Sequence, residues 1–355
     1  TGVSAFLAVL LTFWFKDTVV TLAVVPYASM IAEVTRDYQE RSSLALFKSI
    51  ASVLGYILGA GVLMTLVGMF KGLGLDRQQA WSATGAIFGS FAMISLLITR
   101  LTIKERPELI GQPVKTPVFK GLKYCFKNKP FIVLMIIFIL GSFAFTLQAA
   151  LLPYLIQYQL GMGDQITPIM VTSLVVTGLF SYPAKKLADK INKAPTYAIG
   201  MGLAAITFLL TFIFIPHHPT PLVYLVAVML GIGFSTQWVI PFAMMPDVIE
   251  YDEKMTGERR EGMYYGFHNF INKFAVALAT AVSGWSLAWF HYVPNAVQTE
   301  QALFGIRFFY AVVPALAMLA FIPLLLRYPV TRKSHEALIA ELEMKKKEAV
   351  NLPED

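Results

Sequence analysis

Four ionisable side chains fall inside apolar stretches of this 355-residue chain: Lys16, Asp17, Lys273 and Arg307. A charge at bilayer depth costs about 3 kcal/mol on insertion scales, so each one needs a partner, a water-filled cavity or a task. Asp17 has the chemistry of a cation ligand or proton carrier, because a carboxylate taken out of water can hold a proton or coordinate sodium. Its neighbour Lys16 points about 100° away around a helix, so at most one of the two lines a central path. The alternative for Asp17 is a structural ion pair with a basic residue of another helix. Lys273 belongs to a polar stripe, since His268 and Asn272 are four apart, as are Asn269 and Lys273. Lipid would expel such a stripe, so it faces protein or water, where an amine can hold a carboxylate in one state and release it in another. Arg307 lies near the end of its apolar stretch, within reach of the headgroups.

Neutral polar groups supply a weaker signal. Gln148, Tyr154 and Gln157, with Gln237 and Trp238, offer the amides and the indole face common in sugar sites and equally common between packed helices. Gly55, Gly59 and Gly61, like Gly231 and Gly233, suit close helix approach rather than phosphate binding, because no strand precedes either series. No HExxH, GxSxG or P-loop pattern occurs, and the chain is read as a non-enzyme. One cysteine, Cys125, excludes a disulfide framework or a cysteine-held metal. No cofactor other than a bound sodium ion is expected.

The elements that must position these groups follow from composition. Hydrophobic residues make up 56% of the chain and charged residues 14%, against roughly 25% charged in a soluble domain. A crossing helix needs about 20 apolar residues. Nine stretches qualify: Val3 to Ile31, Leu44 to Phe70, Trp81 to Leu101, Phe131 to Gln157, Ile166 to Pro183, Pro195 to Ile215, Leu222 to Met245, Gly262 to Phe290 and Leu303 to Leu326. The fold class is therefore all-α, a polytopic membrane protein.

The net charge of +7 sits in short clusters between apolar runs, where it orients helices rather than binding nucleic acid. If the first helix runs inward, Arg36, Arg41, the run from Arg100 to Lys129, Lys185, Lys186, Lys190, Lys193, Lys254, Arg259, Arg260 and the basic tail all face the cytoplasm. Only Lys71 and Arg77 face the other side. The chain divides into residues 1–102, a partial transmembrane bundle; 103–130, a cytoplasmic loop with an interfacial helix at Phe119 to Phe126; 131–328, a six-helix bundle; and 329–355, a cytoplasmic tail. Six spans after the loop create the expectation of six before it, since transporters are commonly built from paired repeats; three would then be missing. In the tail, Leu338, Ile339 and Leu342 mark a solvated helix lying against the cytoplasmic face, with a partner-binding element as the lesser reading.

Two stretches carry a resemblance. Pro26-Tyr27-Ala28-Ser29-Met30 with Glu33 through Leu44, and Asp247-Val248-Ile249-Glu250-Tyr251 with Thr256 through Gly262 and on to Lys273, resemble motifs of the glycoside-pentoside-hexuronide:cation symporters. These are the melibiose-permease branch of the major facilitator superfamily. The resemblance runs the length of the chain and implies helices four to twelve of a twelve-helix, two-bundle fold that transports by alternating access. It implies cation coupling at Asp17, Thr21 and Lys273, with Lys48 at the basic position near the inner end of the fifth helix. Asp37, Glu40, Arg41, Asp247, Glu250 and Arg260 would form the cytoplasmic gate. Tyr27, Lys48, Gln148, Gln237, Trp238, Asn269 and Asn272 are the expected solute-binding residues.

The pattern departs at Val24 and Ala28, where the melibiose transporter has an acid and a tryptophan; both changes argue against melibiose-like recognition. The animal lysophospholipid symporters share the proline-tyrosine turn and the lysine. The resulting expectation is sodium- or proton-coupled symport of a small organic solute such as a sugar or glycoside, with a lysophospholipid or other amphipathic solute as alternative and a non-transporting scaffold subunit as a third. The partners are then the solute, the coupling cation and the lipid bilayer, without nucleic acid, and the location is a bacterial inner membrane with the C-terminus in the cytoplasm.

Overall fold

Lipid offers the backbone no hydrogen bonds, so long apolar stretches must satisfy their amides internally as helices. The structure, a computed structural model, describes residues 2–34, 38–102, 117–258 and 260–350. These residues form thirteen α-helices and no strand: α1 (Gly2–Val34), α2 (Tyr38–Ile57), α3 (Leu63–Gly72), α4 (Arg77–Thr102), α5 (Val118–Lys127), α6 (Lys129–Tyr154), α7 (Ile166–Ile191), α8 (Lys193–Phe214), α9 (Leu222–Thr256), α10 (Glu261–Trp289), α11 (Glu300–Arg307), α12 (Val313–Leu326) and α13 (Arg332–Val350). Three π-helical turns, Leu58–Val62, Leu155–Gln159 and Phe308–Val312, join α2 to α3, extend α6, and join α11 to α12. Two of them lie beside Pro153 and Pro314. A proline lacks the N–H for its helical bond and crowds the preceding turn, which such a turn absorbs.

Eight of the nine expected spans are helices long and apolar enough to cross a membrane. The ninth expectation, Leu44 to Phe70, is helical from end to end, as α2, the π turn at 58–62 and α3, with right-handed helical backbone at both junctions. Phe119 to Phe126 is helical, within α5, whereas the basic run at 103–116 lies outside the described residues.

The apolar core is built by α6, α8, α9, the 308–312 turn and α12, with Phe131, Leu147, Tyr197, Met201, Phe208, Phe234, Tyr310 and Phe321 fully buried. Small residues bring α8 and α9 together: a Cβ at Gly200 would stand 2.9 Å from the Gly233 carbonyl, and one at Gly233 2.8 Å from the Gly200 carbonyl. Gly231 likewise abuts the Ser173 carbonyl of α7, at 2.7 Å. By contrast a Cβ at Gly55 or Gly59 would meet nothing within 4 Å, so the close approach expected of that series is not made at these two positions. Asn128 fastens the start of α6: it accepts from Phe131 N and donates to the Val248 carbonyl and the Tyr264 hydroxyl, 3.0 Å each. α1 leans on α10, and α2 packs on α7 and α9. Phe13, Trp14 and Phe15 on α1 stay exposed, a surface suited to hydrocarbon rather than water.

Candidate functional site

Five helices enclose a cavity of about 460 Å³, within the usual range for small-molecule sites. α1 contributes Val24 and Val25; α2 contributes Lys48, Ser52 and Tyr56; α6 contributes Phe138, Ser142, Phe145 and Thr146. α9 supplies Gln237, Trp238 and Phe242, and α10 supplies Tyr265, His268, Asn269, Asn272 and Val276. The aromatic side chains brace one another. Tyr56 and Phe145 meet Trp238 edge-on with centroids 5.2 and 5.8 Å away, and His268 lies 4.0 Å from Phe138 and 5.4 Å from Phe242. Lys48 Nζ sits 3.5 Å above the Phe242 ring, a cation–π contact. The Gln237 carbonyl accepts from the buried Tyr197 hydroxyl, which fixes the orientation of the amide.

Of the seven expected solute-binding residues, Lys48, Gln237, Trp238, Asn269 and Asn272 line this cavity. Gln148 does not: it borders a separate small void beside Tyr310, because α6 turns that face toward α7 and α9. Tyr27 is exposed on α1, away from the cavity. Tyr154 joins Tyr158 and Tyr292 in a cluster at the other end of α6, where the Tyr292 hydroxyl donates to that of Tyr158 at 2.8 Å, and Gln157 is exposed. Arg307 is half-buried beside His217, with its guanidinium 5.2 Å from the Phe212 ring.

A second group lies beside the cavity on the α1–α10 contact. Lys273 Nζ donates to Asp17 Oδ2 at 2.5 Å, to Thr21 Oγ1 at 2.6 Å and to the Asp17 carbonyl at 3.4 Å. Thr21 Oγ1 in turn donates to the Asp17 carbonyl one turn earlier, at 2.6 Å. The three expected cation-coupling residues are therefore in mutual contact, and the basic partner considered for Asp17 is Lys273. Lys16 faces elsewhere, over Phe13, with its Nζ 3.9 Å from Asp17 Oδ1. The trio is not part of the cavity lining, but Asn269, Asn272 and Val276, within a turn of Lys273, are.

A third group closes the end of α9. Lys193 Nζ, at the start of α8, donates to Asp247 Oδ2 at 2.8 Å and to the Ala243 carbonyl at 2.7 Å. His335 Nε2, on α13, lies 2.5 Å from Glu250 Oε2 and 3.7 Å from Asp247 Oδ1. All four side chains are buried. Asp247, Glu250 and His335 have donor types that bind metal, within 4.8 Å of one another, but Lys193 already holds Asp247 and His335 is hydrogen-bonded to Glu250. Arg260 pairs with Asp252 at 2.8 Å and Glu258 at 3.0 Å and lies 4.7 Å from the Tyr124 ring of α5. Of the other expected gate residues, Glu40 is exposed, Asp37 lies outside the described residues, and so does the side chain of Arg41.

Lys193, Asp252 and His335 escaped the sequence reading. A signal for His335 existed, since it shares a helical face with Leu338 and Leu342, both buried, and α13 packs on α9 through that apolar and charged face. Tyr56, Phe138, Phe145 and Phe242 were indistinguishable from core aromatics without knowledge of which helix faces meet.

A helical membrane protein with a central, mixed aromatic and polar cavity, flanked by an ion pair between helices, has the form of a solute carrier. A family model described as "MFS/sugar transport protein" matches residues 1–332, and the chain belongs to that family. It is 28% identical to an uncharacterized symporter, YjmB, of Bacillus subtilis over 90% of this chain and 69% of that protein. It is 25% identical to the isoprimeverose transporter of Lactiplantibacillus pentosus, over 96% and 70%, and 23% identical to the sodium-dependent lysophosphatidylcholine symporter 1 of Mus musculus, over 97% and 69%. The protein is a transporter of the symporter type and not an enzyme.

Proposed function

We propose that this transporter carries a small hydrophilic solute, of the sugar or glycoside class, in symport with sodium or a proton. The observation that supports the reading best is the neighbourhood of two sites on one helix. α10 presents Asn269 and Asn272 to the cavity and Lys273 to Asp17. The solute would lie against Trp238 and Tyr56 with its hydroxyls on the Asn and Gln amides, and the isoprimeverose transporter among the relatives agrees with such a substrate.

The Asp17 carboxylate, the Asp17 carbonyl and the Thr21 hydroxyl are hard oxygen donors of the kind a sodium ion takes, and the Lys273 ammonium occupies that place. In the proposed cycle, sodium or a proton at Asp17 displaces Lys273, whose release next to the cavity lets a solute-loaded carrier change sides. Residues 1–102 and 131–328 would rock as two bundles about the cavity, with the end of α9 at the cytoplasmic face of a bacterial inner membrane and the C-terminus in the cytoplasm. An amphipathic solute is the second reading, favoured by the apolar strip of Val24, Val25 and Val276 on the cavity wall and by the lysophosphatidylcholine symporter.

Reconstitution in proteoliposomes tests both. Uptake of labelled glycosides, driven by an imposed sodium or proton gradient and challenged with lysophosphatidylcholine, should be saturable and gradient-dependent. Asp17→Asn and Lys273→Ala should each abolish accumulation at normal expression. Full accumulation in either variant removes that residue from the coupling, and absence of any uptake with stoichiometric copurifying proteins would favour a scaffold subunit.

A further inference from the structure

We infer that Tyr197, which lies outside the cavity, is a positioning residue for the solute: its hydroxyl holds the Gln237 amide so that the N–H donors, and not the carbonyl, meet what the cavity carries. The inference rests on the cavity being the solute site proposed above, and it fixes what one point of that wall can recognise. Packing brings the two side chains together. α8 and α9 cross at Gly200 and Gly233, where a Cβ on either would strike the carbonyl of the other. Tyr197 stands one turn before Gly200 and Gln237 one turn after Gly233, so the crossing that needs glycine carries the phenol to the amide. α6 covers the contact with bare backbone: a Cβ on Gly141 would stand 3.0 Å from both the Gln237 amide carbon and the Tyr197 oxygen. The Tyr197 ring is fully buried and braced by Phe321 of α12, with centroids 5.8 Å apart.

The chemistry follows from what each group can give. A phenol has one proton to donate, and a glutamine amide has a carbonyl at one end and two N–H donors at the other. Among the described residues the acceptor for the Tyr197 proton is the Gln237 carbonyl, and a buried O–H without an acceptor is costly. Donation from Tyr197 therefore pins the carbonyl toward the core, and the N–H2 end is left for the cavity that Gln237 lines. What it receives is a solute oxygen able to accept, beside Trp238 on the same wall. The terminal torsion of glutamine is soft and roughly two-fold, so without Tyr197 the amide can present either end. Its carbonyl, stripped of a donor in the core, would turn to the cavity, and fewer than half of the molecules would offer the donors. Apparent affinity falls with that fraction, by about fivefold for a hydrogen bond of ordinary strength.

Uptake into proteoliposomes tests this on the wild type, Tyr197→Phe, Gln237→Leu and the double variant. The probes are methyl glucoside, its monodeoxy and monofluoro analogues, and lysophosphatidylcholine. In the wild type one monodeoxy analogue should enter with a KM about tenfold above that of methyl glucoside. The fluoro analogue at the same position, a weak acceptor that cannot donate, should fall between the two. Tyr197→Phe should raise KM for methyl glucoside about fivefold, leave kcat within about twofold and flatten that selectivity. Gln237→Leu should abolish the selectivity, and adding Tyr197→Phe to it should change KM no further. Loosened helix packing would instead lower kcat and the melting temperature, and would persist in the Gln237→Leu background. A wild-type KM in Tyr197→Phe, an equal loss in both backgrounds, or a fluoro analogue no better than the deoxy one each overturn the inference while sugar transport stands. Uptake of lysophosphatidylcholine alone overturns the sugar reading, and the same comparison run on that solute decides the role of Tyr197, an equal loss in both backgrounds again overturning it. Uptake of no probe overturns both.

Discussion

Lys193→Met isolates the worth of the ion pair at the end of α9. Both side chains of the Lys193–Asp247 pair are almost inaccessible, at 4% and 3%. Methionine keeps the length and loses the charge, leaving Asp247 beside the His335 imidazole at 3.7 Å and the Ala243 carbonyl without the lysine donor. Removing one member of a buried pair costs about 3–5 kcal/mol, mostly the penalty of the abandoned charge. At about 2 °C per kcal/mol for a chain of this size, the melting temperature should fall by about 6–10 °C. The double variant Lys193→Met, Asp247→Leu removes both charges and should regain most of the loss, because well-packed apolar groups replace buried pairs at little cost. Cys125 provides the assay: it is the single cysteine and is buried, so a thiol-reactive fluorophore reports its exposure as the protein unfolds on heating. A shift below about 1 °C for the single variant, or a double variant no more stable than the single, would refute the assignment of this pair as a buried, mutually dependent unit.

The same thiol gives a pH test outside the spans. Burial pushes Cys125 up to about 11, so in the native state it should stay unmodified by the thiol-specific disulfide 4,4′-dithiodipyridine at pH 7–8 and gain reactivity only toward pH 11, as followed by released thiopyridone; rapid reaction at neutral pH would contradict its packing. His335→Ala removes the anchor of α13 from Glu250 and should make the tail several-fold more sensitive to limited trypsin digestion, with unchanged sensitivity counting against docking. Gly233→Val should cost about 3 kcal/mol or more by forcing α8 and α9 apart, since its Cβ position lies 2.8 Å from a carbonyl; a melt equal to wild type would show that the two helices give way easily.

Sequence patterning made eight crossing helices legible because apolar length is dictated by the bilayer and survives any packing arrangement. Over 44–70 the helix runs on through a π turn that hydropathy cannot register. Costly charges were equally legible: Asp17 and Lys273 stood out singly, and their pairing across 256 positions of sequence emerged only once α1 lay on α10. The polar stripe of α10 was visible from spacing; His268, Asn269 and Asn272 face the cavity, while Lys273 turns to Asp17 beside it. Gln148 and Tyr27 show the limit, since the sequence gives a residue's type while the rotation of its helix decides which void it meets. His335 lies on the same face as Leu338 and Leu342, but its partner Glu250, 85 positions away, could not be read from that spacing.

The ammonium of Lys273 lodged against Asp17 has a bearing on how often a carrier can turn over. Under the proposed cycle the unloaded protein brings its own stand-in for the ion, so it is electrically complete when empty and can make the return stroke without freight. Net movement in one direction, rather than one-for-one exchange across the membrane, then becomes possible. A variant such as Lys273→Ala should retain exchange of internal for external solute while losing net flow, and equal loss of both would show that the lysine does not serve the empty return.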